Sequence, residues 1–167
     1  MSIKMPIAGF CPACGSQTKE NDIHGRQRPQ CTSCRHIVYF DPKVAAIALI
    51  IRDGRILLAQ RANDPGKHKW GLPGGFVEFG EHPRDATKRE VLEETDLTVD
   101  IGDVIDVFHT SGGTTITIAY HAEIIDGIPR AGDDAEALGW FSREDIPELF
   151  FISTITVVDR WVKGELR

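Results

Sequence analysis

Apolar residues run almost unbroken through "VAAIALII" (44–51), stop at Arg52 and the pair Asp53-Gly54, and resume in "ILLAQR" (56–61). Two short apolar runs around Asp-Gly predict two strands joined by a tight turn. "GLPGG" (71–75) then reads as a glycine-rich bend. "PRDATKREVLEET" (83–95) has the composition of a helix, with Pro83 in its first turn, where a missing N–H costs nothing. Its expected apolar contribution is Val91 and Leu92, with Ala86 permitting close packing and the charged residues facing outward. Beyond Leu97 the pattern turns to strands. "TVDIGDVIDVFHT" (98–110) and "TTITIAYHAEII" (114–125) are separated by a turn at Ser111-Gly112-Gly113, and Asp126-Gly127 is expected to close a further hairpin. "EALGWF" (136–141) predicts a short strand. "SREDIPEL" (142–149) predicts a capped turn with Ser142 as N-cap and Asp145 three residues on. "ISTITVVDRWVKG" (152–164) predicts a last helix by position, although its Ile, Thr and Val content also suits a strand. This order implies an α+β domain, a mixed sheet with helices on its faces.

Composition narrows the function classes. The chain has 167 residues, 41% hydrophobic and 26% charged, enough for one ordinary core and a small appendage. A net charge of −6 opposes a broad basic surface for nucleic acid or an anionic membrane, while leaving room for a local phosphate pocket. No apolar run reaches the roughly 18 residues of a membrane span. The start "MSIKMPIAGF" has no signal-peptide pattern, so a cytoplasmic, reducing location is expected.

All four cysteines lie near the N-terminus: Cys11 and Cys14 in "CPAC", Cys31 and Cys34 in "CTSC". Two such knuckles at this separation predict one tetrahedral Zn²⁺ site, and Gly15 eases the first turn. Disulfides are the competing reading, disfavoured in a reducing compartment. The polar stretch between the knuckles cannot build a core, so metal binding would supply the folding free energy. Four thiolates close the coordination shell and make the site structural.

The second candidate lies in "REVLEETD" (89–96). Glu90 lies three residues from Glu93 and four from Glu94, spacings at which like charges on a helix repel. A divalent cation would make that face favourable. Mg²⁺ and Mn²⁺ take oxygen ligands, and Mg²⁺ characteristically shares phosphate oxygens with a substrate. Glu81 lies just before the helix, close enough in sequence to join them. Arg89 suits a bidentate grip on a carboxylate or a contact to phosphate. Metal, carboxylates and phosphate together point to hydrolysis of a phosphate anhydride, with a carboxylate accepting the proton of the attacking water.

The stretch "GGFVEFGEHPRDATKREVLEETDL" resembles the Nudix box. Gly75 opens it, Glu81 follows after five residues, and Arg89, Glu90, Val91, Glu93, Glu94 and Leu97 take their places in turn. The one departure is Asp96, where the family has a helix-ending Gly; Asp tolerates a left-handed conformation better than most residues. The resemblance implies a Nudix fold over residues 41–167 behind a zinc ribbon at 1–40. It implies that Glu90, Glu93 and Glu94 hold Mg²⁺ or Mn²⁺ with the Gly74 carbonyl, and that Glu81 supports them. It also implies a Glu in a later loop as base or ligand: Glu136 in "GDDAEALGWF", with Asp134 as runner-up. A homodimer is expected by analogy.

A zinc ribbon followed by "YFDPKVAAIALI" resembles two subgroups, the NADH pyrophosphatases and the FAD/ADP-ribose pyrophosphatases. The Ser-Gln-Pro-Trp-Pro-Phe-Pro run of the first is missing from "VFHTSGGTTITIAYHAEI" (107–124), and the tail resembles the second. The expected substrate is a small nucleotide, FAD or ADP-ribose ahead of NADH, cleaved to AMP and a monophosphate. Trp70, Phe76 and Tyr120 are candidates to stack on a base, Arg52 and Arg61 to pair with phosphate. A competing reading of another class is a non-catalytic nucleotide sensor with an interacting ribbon. The ribbon lacks aromatics interleaved among its basic residues, which weighs against nucleic acid.

Overall fold

The computed structural model describes residues 8–109, 114–132 and 134–166. Contacts divide the chain into two compact units, Met1–Pro42 and Lys43–Arg167. The first is built on an antiparallel hairpin of β1 (Thr18–Ile23) and β2 (Arg26–Cys31). Its turn uses His24 and Gly25, both at positive φ, as a tight hairpin turn requires. Among the described residues of this unit, those buried are Cys11, Pro29, Cys31 and Val38.

The second unit is a mixed sheet with a helix on each face. Its strands are β3 (Lys43–Arg52), β4 (Arg55–Arg61), β5 (Trp70–Gly71), β6 (Gly74–Phe76), β7 (Leu97–His109), β8 (Thr115–Gly127) and β9 (Ala135–Phe141). The helices are α1 (Pro83–Thr95) and α2 (Ile152–Val162). The main path runs β5-β4-β3-β8-β7, with β6 added to β3 and β9 to β4. Among the described strands only β3 and β8 pair parallel with each other, Ala45 opposite Thr117. Alternation along β3 sends Ala46, Ala48 and Ile50 to the α1 face with Val91, Leu97 and Tyr120. Ile47 and Leu49 face α2, with Leu58, Val157 and Trp161.

β3 and β4 pair only beside their turn, at Ile51–Ile56 and Arg52–Arg55. Asp53 and Gly54 both have positive φ, the geometry an Asp-Gly hairpin turn needs. Beyond that turn, β6 takes the first half of β3, pairing Ala45 through Ile47, while β9 takes β4. The strands thus part toward the end where "GLPGG" crosses, and that parting positions the site.

Two expectations need correction. Asp126-Gly127 closes no hairpin to the next strand, because β9 pairs with β4 and not β8. Gly127 instead ends β8 opposite Leu97, where a Cβ would lie 2.5 Å from the Asp96 carbonyl oxygen. Leu92 is 49% exposed, so the buried stripe of α1 is Ala86, Thr87, Val91 and Thr95. The two threonines are tolerated there because each hydroxyl donates to the carbonyl four residues back, on Pro83 and Val91. Asp96 does end α1 in the left-handed region, φ 59, its N–H returning to the Leu92 carbonyl. The Ser142 hydroxyl donates to the Asp145 carboxylate at 2.8 Å, in a turn with no helix after it. The separating turn expected at Ser111-Gly112-Gly113 lies outside the described residues.

Candidate active site

In the first unit the two knuckles meet. One sulfur from each of Cys11, Cys14, Cys31 and Cys34 lies within 4.8 Å of the others. Cys11 and Cys34 Sγ are 3.7 Å apart, Cys14 and Cys31 Sγ 3.5 Å. No disulfide links them. A tetrahedron with Zn–S bonds of about 2.3 Å has edges of about 3.8 Å, so the four sulfurs suit Zn²⁺. The N–H groups of Ser33 and Cys34 point at Cys31 Sγ, at 3.4 and 3.3 Å, as they would at a thiolate. Gly15 takes positive φ and closes the first knuckle onto the Cys11 carbonyl. Crowding splits the thiols. The Ser16 hydroxyl and the backbone hold Cys14 down to about 6. Cys34 is pushed up to about 12: the His36 N–H favours its thiolate, but the Cys14 and Cys31 sulfurs outweigh that. A Zn²⁺ ion among the sulfurs would favour their thiolate forms.

In the second unit, α1 lies with its acidic face against β6. Gly74 N donates to Glu94 Oε2 at 3.0 Å, and Arg89 Nη2 donates to the Phe76 carbonyl at 3.0 Å. Between them, a Cβ on Gly75 would sit 2.4 Å from the Glu90 carboxyl carbon, so only glycine allows this approach. Gly74 is as constrained: φ is 144, and a Cβ would meet the Ala46 carbonyl oxygen at 2.2 Å.

Arg89 organises the acids. It grips Glu81 bidentately, Nε to Oε1 and Nη2 to Oε2 at 3.0 Å each. Its Nη1 also donates to Glu90 at 2.8 Å and Glu93 at 3.0 Å. The repulsion read from the sequence is therefore partly answered by a guanidinium built into the same helix. One cation does not balance four glutamates. Glu94 has no such partner among the described residues; burial pushes its carboxyl up to about 7 despite the Gly74 N–H, with the Glu90 charge adding to the rise. Burial likewise raises Glu90, while the Arg89 hydrogen bonds lower Glu81. Glu90 Oε2, Glu93 Oε1 and Glu94 Oε1 accept no hydrogen bond among the described residues. Uncommitted carboxylate oxygens with a surplus of negative charge have the chemistry a hard dication prefers, although among the described residues it is the four cysteines, and not these acids, whose ligand atoms lie within 4.8 Å of one another. Gly74 meets this cluster through its N–H.

Glu94 borders a cavity of about 340 Å³ that also takes in Gly74, Gly75, Phe76, Arg61 and Asp134. Of the later-loop acids, Asp134 is on its wall and Glu136 is not. Asn63 Nδ2 holds Asp134 Oδ1 at 2.7 Å, whereas Glu136 is engaged by His68 Nδ1 at 2.7 Å. Phe76 and Arg61 reach the cavity. The other proposed contacts do not: Trp70 packs edge-on to Phe141, Tyr120 is buried in the core, and Arg52 lies over Trp140 near the hairpin turn. Sequence reasoning missed Asn63 and Phe151, whose role depends on loops meeting far along the chain.

The raised Glu94 carboxyl predicts a pH signature. Without metal, the folded protein binds a proton here more tightly than the unfolded chain does. The associated stability, of order 3 kcal/mol, is present below about pH 4.5 and lost as pH rises through about 7. Relative to Glu94→Gln, the melting temperature of the metal-free protein should fall between pH 5.5 and 8. Added Mn²⁺ should raise it more at pH 8 than at 5.5, since ion and proton compete. Equal Mn²⁺ shifts at both values would contradict this.

No described helix is long and apolar enough to cross a membrane. The model of the NUDIX domain matches residues 41–160. An ADP-ribose pyrophosphatase of Methanocaldococcus jannaschii is 35% identical over 136 residues, 78% of this chain and 80% of that protein. The NAD-capped RNA hydrolase NudC of Vibrio atlanticus is 29% identical over 153 residues, 87% of this chain and 54% of its own length. A crystal structure of a NUDIX hydrolase from Nitrosomonas europaea superposes with a TM-score of 0.87 at 26% identity, covering 94% of this chain and 92% of that one. Acid helix, glycine strand, split sheet and these likenesses agree, and the chain belongs to the Nudix family of hydrolases.

Proposed function

We propose that the chain hydrolyses the diphosphate of an adenine dinucleotide or nucleotide sugar, ADP-ribose or FAD first, to AMP and a second monophosphate. The observation that carries this is Glu94, half-buried and short of countercharge, on the wall of a mostly apolar cavity. The likeness to an ADP-ribose pyrophosphatase over most of both chains supports the substrate class. NADH is the second reading; the likeness to an NAD-capped RNA hydrolase supports an NAD-type group in the substrate.

Glu90, Glu93 and Glu94 would hold Mg²⁺ or Mn²⁺, with the Gly74 carbonyl as a further ligand. Such an ion supplies charge neutralisation of the diphosphate and a more acidic water. Glu81 fixes Arg89, and Arg89 keeps Glu90 and Glu93 apart from each other's charge. Arg61, over the Phe151 ring and on the cavity wall, would take a phosphate oxygen. Asp134, held at Oδ1 by Asn63, keeps Oδ2 to accept a proton from water. The water oxygen bonds to one phosphorus, the bridging P–O bond breaks, and the leaving phosphate departs as an anion.

Incubation with ADP-ribose, FAD and NADH, with Mg²⁺, Mn²⁺ or chelator, tests this directly. AMP should form from ADP-ribose or FAD only with metal. Faster release from NADH would favour the second reading. Consumption of no nucleotide under any metal would favour a binding module.

A further inference from the structure

The start of α2 borders the same cavity as Glu94, through Phe151, Ile152, Ser153 and Thr154. The sequence supplies no cap there: Phe151 occupies the N-cap position and makes no side-chain hydrogen bond. The first backbone bond of the helix runs from Ile155 N to the Phe151 carbonyl at 2.9 Å. The N–H groups of Ile152, Ser153 and Thr154 therefore have no protein partner among the described residues. Such groups are satisfied by water or by a ligand.

A second observation points the same way. Ser153 is 6% exposed and Thr154 1%. Neither hydroxyl bonds any described group, although Thr87, Thr95 and Thr156 each return theirs to a carbonyl four residues back. In the first turn of α2 no helical carbonyl lies four residues back, so that route is closed. No buried side-chain oxygen of the described structure is both sealed off and unpartnered. The two oxygens thus open on the cavity they line.

Most of the remaining wall is apolar, with Ala45, Ile47, Leu72 and the Phe76 ring. Arg61 is the one cation among the described lining residues, and its charge is felt at Glu94. Arg61 lies over the Phe151 ring beside the start of α2, its Nε donating to the Pro65 carbonyl; the neutral hydroxyl donors of α2 suit an uncharged ring set among apolar walls. We propose that the Ser153 and Thr154 hydroxyls, with the uncapped N–H groups of α2, read a ring-nitrogen or carbonyl acceptor on the heteroaromatic base of the substrate. This wall would set selectivity for the base-bearing half, and the inference rests on the proposed function only in requiring a nucleotide.

Metal-free titration of adenosine and its 1-deaza, 3-deaza and 7-deaza analogues tests it, on the wild type and on the Ser153→Ala/Thr154→Val double variant. Calorimetry gives the affinities, and Thr154→Ser serves as a control that keeps the hydroxyl. The wild type should lose about tenfold in affinity for at least one analogue, the worth of one hydrogen bond. The double variant should bind adenosine about as weakly as that analogue and no longer tell the two apart, while Thr154→Ser behaves as wild type. Full adenosine affinity in the double variant, or discrimination persisting in it, would overturn the inference, as would wild-type failure to bind adenosine, guanosine or uridine. Guanosine passing the same test while ADP-ribose resists hydrolysis would reject the adenine substrate and keep the α2 wall.

Discussion

Glu94→Gln should lower turnover by about two to four orders of magnitude while making the metal-free protein more stable above neutral pH. The opposite signs come from one cause. Glutamine keeps an oxygen for the Gly74 N–H, which now holds Glu94 Oε2 at 3.0 Å, so the strand and helix stay in register. It removes the carboxylate whose burial is unfavourable, the group pushed up to about 7. What it cannot do is offer a charged oxygen to a dication. Turnover with saturating Mn²⁺ and a melting curve at pH 8 measure the two halves. Near-normal turnover would reject the assignment of Glu94, and lost activity with a collapsed melting curve would mean only that the fold had failed.

Cys14→Ser should empty the ribbon of zinc and unfold it, leaving hydrolysis by the second unit within a few-fold of wild type. Among the described residues the first unit buries only Cys11, Pro29, Cys31 and Val38, far too little apolar surface to offset its chain entropy. A structural zinc contributes apparent binding energies of about 10–16 kcal/mol, and serine at one corner forfeits much of that. The second unit holds its own two clusters, one on each face of the sheet. Zinc content by mass spectrometry, with limited proteolysis, should show cleavage confined to the first 42 residues. A ribbon still protected without zinc would contradict the reading, as would loss of all hydrolysis.

Local chemistry was the legible part. The Asp53-Gly54 turn, the helix opened by Pro83 and the four thiols are each decided within a few residues, and all stand in the structure as expected. Asp96 ends α1 as a glycine would, because its carboxylate side chain tolerates left-handed backbone. The acids were legible as a set but not as a geometry. Sequence spacing put three glutamates on one face; it could not show that Arg89 bridges Glu81, Glu90 and Glu93 while Glu94 turns to Gly74. Leu92 misled because an apolar residue beside Val91 looks like core, yet the face of α1 that meets β6 is given to acids. Pairings over long sequence distance were invisible: β9 returning to β4, and Asn63 reaching Asp134. Those contacts decide that Asp134, rather than Glu136, borders the cavity.

The account depends on Glu90, Glu93 and Glu94 sharing a dication that Arg89 alone does not replace. Crystals soaked in Mn²⁺ and measured at the manganese absorption edge test it most directly. An anomalous peak within ligand distance of those carboxylates, lost in Glu94→Gln, is the predicted result. A map without signal there, while the soaked protein turns over ADP-ribose or FAD in solution, would contradict it.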